Sequence, residues 1–168
     1  LVLQGRARYQ RDKADPAAMA QARELFARAV ELDPSYATAH AQLGLIDIVE
    51  HMSGIANGSG AGDLPAGLAQ AREAIRLEPD LALAYQVLSY GLAESGDYQG
   101  GLQAAERAAE LNPSDPDSLM ALAKAQVRFG SYDEAVANAA LARRLHPMAP
   151  GYYPYVHGQA LYAAGQAG

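Results

Sequence analysis

The hexapeptide AAELNP at residues 108–113 returns as ARRLHP at 142–147, as AIRLEP at 74–79 and as AVELDP at 29–34. Each copy opens on Ala, carries Leu at its fourth position and closes on Pro. The prolines Pro34, Pro79, Pro113 and Pro147 end four segments in the same way. Proline cannot continue a helix, because it lacks the amide donor and its ring clashes with the preceding turn. The stretch before Pro113 shows what is being ended. In LALAYQVLSYGLAESG (81–96), Leu81, Tyr85, Leu88 and Leu92 recur at helical spacing. Gly96 can take the left-handed conformation that closes a helix. Asp97 can cap a second helix, whose apolar stripe is Leu102, Ala105, Ala108 and Leu111. One period therefore holds two helices and a tight turn.

The next period repeats the pattern. Asp115-Pro116 is a capping residue followed by a Pro suited to the first helical position. Leu119, Leu122 and Ala123 face inward, and Gly130 ends the helix. SYDE (131–134) has the form of a capping box, with Ser131 and Glu134 as its members. Val136, Ala139, Ala142 and Leu145 form the stripe of the second helix. The Ala of each hexapeptide is expected where two helices touch, and the Leu is expected to bury at the end of the stripe.

Composition agrees with helix on helix. Half of the 168 residues are hydrophobic, yet there are two Phe and no Trp. Such a core relies on closely approaching backbones, and Ala is the best helix former. The net charge of -6 argues against a nucleic-acid binder, which presents a basic face. The acids concentrate in the middle of the chain. There are no cysteines, which removes disulfides and Cys-ligated metals. No apolar run reaches the roughly 20 residues of a membrane helix. The first residue is Leu and no signal-peptide pattern follows, so the chain reads as a piece of a longer, cytoplasmic protein.

These residues resemble the tetratricopeptide repeat, a helix-turn-helix unit of 34 residues. HAQLG (40–44), YQVLS (85–89) and LMALA (119–123) match its first helix, and Gly96 and Gly130 match its turn. Ala22, Phe26, Ala29, Ala135 and Ala142 match its second helix. The resemblance implies an all-α fold of antiparallel helix pairs stacked in a right-handed superhelix. It implies a single array over 1–168, with units at about 1–36, 37–81, 82–115 and 116–149 and a partial unit at 150–168. Gly44, Ser89 and Ala123 are then the small residues that let one helix lie against Gly67, Gly101 and Ala135. The second unit is longer than the period, and its extra residues fall in HMSGIANGSGAGDLPAG (51–67), read as a loop centred near 53–64. The last unit has Gly158 at the small position and Gly165 at the turn but no second helix, which predicts exposed apolar surface at Leu161 and Tyr162. The N-terminal segment and the Tyr-rich APGYYPYVHGQALYAAG (149–165) also resemble arrays that follow bacterial adenylate or guanylate cyclase domains and winged-helix regulators.

The resemblance further implies a non-catalytic interaction module. Its partner-binding groove lies on the first helices. The corresponding positions here are Leu45 and Ile48, then Gln86, Tyr90 and Glu94, then Met120, Lys124, Val127 and Arg128 with Asp117 nearby, then Tyr152 and Tyr155. Tyr90 and Met120 are expected as anchors. Family members that clamp a peptide carboxylate do so with Lys and Asn, and that clamp is absent here. Partners are a protein or peptide segment, a domain of the same parent chain, or a second copy. An alternative is a regulatory or oligomerisation domain of a cyclase or transcriptional regulator.

Nothing in the sequence points to chemistry. NGSGAGD (57–63) lacks the Lys-Ser/Thr ending of a phosphate loop and reads as a linker. His40 and His51 lie about 16 Å apart if one helix carries both, too far to share a metal. Asp12, Asp15, Asp115 and Asp117 sit at helix starts, where acids cap. No cofactor, metal ion or catalytic residue is expected.

Overall fold

A computed structural model describes residues 1–11, 15–53, 62–148 and 151–165. Among these residues there are nine α-helices and no strand. The chain divides into two compact units, Leu1–Val87 and Leu88–Gly168. The first holds α1 (Val2–Arg11), α2 (Pro16–Leu32), α3 (Ala37–Ser53), α4 (Leu64–Leu77) and the start of α5 (Ala82–Glu94). The second holds the remainder of α5, then α6 (Tyr98–Leu111), α7 (Pro116–Phe129), α8 (Tyr132–Leu145) and α9 (Tyr152–Ala163). Successive helices pack on one another within each unit, α1 on α2, α2 on α3 and α3 on α4, then α6 on α7, α7 on α8 and α8 on α9. No helix among the described residues is long and apolar enough to cross a membrane.

The recurrent hexapeptide has one structural meaning in all four places. Asp33, Glu78, Asn112 and His146 are the C-caps of α2, α4, α6 and α8. Their φ angles are -142°, -139°, -143° and -131°. The following Pro drives this, because its ring disfavours helical geometry in the residue before it. Each cap amide donates to the carbonyl of the hexapeptide's Ala, at 2.9 to 3.1 Å. After the first three, the chain turns back through a hydrogen-bonded turn with Pro in its second place: Tyr36, Leu81 and Asp115 donate to the carbonyls of Asp33, Glu78 and Asn112.

The Ala is buried as expected: Ala74, Ala108 and Ala142 are fully enclosed and Ala29 nearly so. The Leu is not. Leu32 is 68% exposed and Leu145 46%, while Leu77 and Leu111 are half-buried. Each is the last residue of its helix, beyond the contact that the Ala makes. The apolar stripe therefore ends at the Ala.

Helix starts rely on aspartate. Asp15, Asp63, Asp97 and Asp115 accept from backbone amides of Ala17, Ala66, Gly100, and Asp117 with Ser118. Such a cap stabilises by about 1 kcal/mol. The capping box at Ser131 is not made: its side chain forms no cap hydrogen bond. The preceding Gly130 has φ of 101°, and the amides of Gly130 and Ser131 both donate to the Gln126 carbonyl. Gly96 and Gly165 also have positive φ. The stretch 51–67 is less of a loop than expected, because α3 continues to Ser53 and α4 begins at Leu64. Its residues 54–61 lie outside the described residues.

The backbones of α3 and α4 approach closely. A Cβ on Gly44 would lie 2.8 Å from the Gly67 carbonyl oxygen, and one on Gly67 would lie 3.0 Å from the Gly44 oxygen. In the second unit a Cβ on Gly101 would come 3.2 Å from the Ser89 oxygen. Gly44→Ala is expected to force the two backbones apart and to cost about 1–3 kcal/mol in urea unfolding. An unchanged midpoint would show that the helices do not meet at this point.

Candidate functional site

In the second unit, the repeat spacing brings side chains of the first helices to matching heights. Tyr90 on α5 faces Lys124 on α7, whose Nζ lies 5.0 Å from the ring centroid. One turn on, Arg128 Nη2 donates to Glu94 Oε1 at 3.2 Å. On the other side of α7, the hydroxyls of Tyr152 and Tyr153 on α9 both donate to Asp117 Oδ1 at 2.7 Å. The two rings meet edge to face with centroids 4.7 Å apart.

The electrostatics follow from partial burial. The Lys124 amine is held below its ordinary value, chiefly because burial disfavours the cation; Arg128 adds to this and Glu94 opposes it. Burial raises both Tyr152 and Tyr153, and the nearby Asp117 carboxylate pushes the same way. Both phenols thus remain protonated donors. The cation over a tyrosine face is stabilised by the ring quadrupole. The arrangement supplies flat aromatic surface, two cations and fixed hydrogen-bonding groups, which suits recognition more than proton transfer.

Not all predicted groove residues belong to this face. Met120 is 1% exposed, enclosed by Leu119, Ala123, Ala139, Ala142, Tyr153 and Val156. It is a core residue, because α7 packs against both α8 and α9 and this position falls at their junction. Ile48 is also fully buried, since Gly67 has no side chain and α4 closes over it. Gln86 is buried too. Leu45 is half-buried against the α1–α3 cluster that contains Val2, Tyr9, Phe26 and Ile46. Tyr90, Glu94, Lys124, Val127 and Tyr152 are half-buried and Arg128 is exposed. Tyr155 is exposed and its hydroxyl accepts from Gln159. Tyr162 is 78% exposed and Leu161 half-buried, so α9 carries the apolar surface expected of it.

A second polar cluster, in the first unit, was not foreseen. Arg23 on α2 pairs with Glu50 and, at 2.5 Å, with Asp47 on α3. The side chains of Asp47 and Glu50 are 5% and 0% exposed. Burial raises the Asp47 carboxyl; Arg23 opposes this, and the charges of Glu50 and Asp63 reinforce it. The available signal was two acids three residues apart inside the apolar run LGLIDIVEHM (43–52). Nothing in the sequence marked Arg23 as their partner. His40 is a buried imidazole, with Nδ1 2.6 Å from Gln70 Oε1 and Nε2 2.9 Å from the Pro34 carbonyl oxygen. No group of three or more potential metal ligands occurs among the described residues.

The family model of the tetratricopeptide repeat matches residues 92–153, which include Glu94, Asp117, Lys124, Arg128 and Tyr152. Solved structures match over most of the chain. A tetratricopeptide-repeat protein of Thermus thermophilus is 22% identical, with a TM-score of 0.68 over 92% of this chain and 85% of that one. The MamA protein is 17% identical, with a TM-score of 0.60 over 98% of this chain and 80% of its own. YrrB, described as a tetratricopeptide-repeat protein with an unusual peptide-binding site, is 19% identical, with a TM-score of 0.56 over 96% of this chain and 84% of its own. These likenesses establish the fold as the all-α tetratricopeptide type. No curated protein sequence matches the chain significantly.

Proposed function

We propose, with the tetratricopeptide-type fold as premise, that residues 1–168 act as one array and form a non-catalytic module that binds a peptide segment of a partner protein. The observation that carries this is the face on α5, α7 and α9, where Tyr90, Lys124 and Tyr152 are held in partly buried, hydrogen-bonded or ring-stacked positions. Tyrosine offers large contact area with few rotors to immobilise and is enriched at interfaces. Tyr90 replaces Met120 as the chief anchor, with Lys124 beside it. Arg128 and Glu94 form the polar rim, and Tyr155 extends the aromatic surface. Leu45 lines the corresponding helix in the first unit. The setting is cytoplasmic, in keeping with the lack of cysteine.

Selection of a random displayed-peptide library against the chain tests this. Selected peptides should bind saturably. Tyr90→Ala or Lys124→Ala should weaken them by about tenfold or more, the scale of an interface hot spot, with the helical circular dichroism unchanged. Binding that is indifferent to both substitutions, or no saturable binder at all, contradicts the assignment.

The resemblance to arrays attached to nucleotide cyclases and winged-helix regulators supports a narrower version. There the occupant is a domain of the parent chain, and the output is control of that domain. The Tyr-rich segment at 149–165 is the feature that favours it. Expressing the array with and without such a neighbouring domain, and finding no contact between them, would remove this version while leaving peptide binding intact.

A further inference from the structure

The C-terminal end of α8 and the start of α9 flank an open cleft of about 460 Å³ whose lining does not include Tyr90 or Lys124. Arg143, Arg144, His146 and His157 line it, with Ala140 and Pro154 among its apolar walls. Among the described residues no carboxylate lines the cleft, in a chain whose net charge is -6. The volume falls in the range of small-molecule sites, roughly 300–1,000 Å³.

The basic groups are organised. Arg143 Nη1 donates to His157 Nδ1 at 2.8 Å. That nitrogen must then be the acceptor, so the ring carries its proton on Nε2 and presents a second donor. His146 packs edge to face on the Tyr153 ring, with centroids 5.8 Å apart. Tyr153 is in turn fixed by its bond to Asp117, which settles where the wall stands. The C-cap amide of His146 is used by Ala142, so the imidazole is placed by ordered backbone. Basic residues in a last turn also complement the helix dipole. That accounts for Arg143 and Arg144 on α8. It does not account for His157, which comes from the following helix and meets the same cleft.

We infer that this cleft is a binding site for a phosphate group, carried by a small molecule or by a phosphorylated side chain. Two guanidinium groups match tetrahedral oxyanions through paired N–H donors. The two imidazoles can add N–H donors. His157 is held below its usual range by burial and by the Arg143 cation beside it. The charge of a bound dianion would act against the Arg143 effect.

The test is a titration of the chain with inorganic phosphate at neutral pH, followed by the ring proton resonances of His146 and His157. The expected result is saturable shifts of both rings in the millimolar range, absent with sodium chloride at matched ionic strength. Arg143→Gln with Arg144→Gln should weaken the response by about tenfold or more, as expected for losing charge-assisted hydrogen bonds. Arg144→Gln alone keeps the Arg143 to His157 bond and should weaken it by a smaller factor, which separates lost ligand contact from local rearrangement. Glycerol 3-phosphate and a short phosphoserine peptide, titrated in parallel, distinguish the two sources by which binds more tightly. Shifts that chloride reproduces, that fail to saturate, or that survive the double substitution would overturn the assignment. The peptides selected for the Tyr90 face should bind the Arg143 and Arg144 variants normally, so failure of either site is distinguishable from failure of the other.

Discussion

Arg23→Met is expected to destabilise the first unit by about 3 kcal/mol, toward the lower end of the cost of breaking a buried ion pair, since the Arg23 side chain keeps 27% of its exposure. Removing the guanidinium leaves Asp47 and Glu50 as two enclosed carboxylates on one helix face. Methionine fills most of the volume, so the loss reports charge more than packing. The effect depends on pH in a defined direction. The folded-state Asp47 carboxyl is raised above its unfolded value. Between the unfolded and folded values the native state therefore holds more protons than the unfolded chain, and stability falls as pH rises through that window. Without Arg23 the folded value rises further. The gap between variant and parent should therefore be largest at neutral pH and should narrow toward about pH 4.5, near the unfolded carboxylate range. Urea unfolding at the two pH values measures it. An equal gap at both would mean that the carboxylates are solvated.

Met120→Ala is expected to cost about 2–5 kcal/mol, the range for truncating an enclosed core side chain. Met120 is in the cluster that joins α7 to α8 and α9. The same substitution at half-buried Tyr90 should cost less stability and more binding. The pair of variants thus separates core from binding face by two different readouts. A Met120→Ala chain with unchanged unfolding midpoint would place Met120 back at the surface and reopen it as an anchor.

The repeat architecture was legible because it is written in local backbone constraints. A Pro imposes an extended residue before it, a Gly permits a left-handed turn, and an Asp caps a helix; each acts through its immediate neighbours. Ala108 and Ala142 could be placed inside because a small side chain at a fixed interval has one economical use. What could not be read depends on which third element covers a helix. Helical spacing puts Met120 and Lys124 on neighbouring turns of one face, yet α9 encloses the first and leaves the second half-open. Leu32 and Leu145 continue the apolar pattern but lie past the last contact. The Arg23, Asp47 and Glu50 cluster joins residues of two helices, and no local rule connects them. Ser131 shows the converse, a correct-looking motif whose side-chain cap is not made.

Amide hydrogen exchange with and without a selected peptide tests the binding face most directly. If the first helices carry the partner, added protection should fall on α5, α7 and α9, around Tyr90, Lys124 and Tyr152. Protection on α6 and α8 instead, or none at saturating peptide, would contradict it.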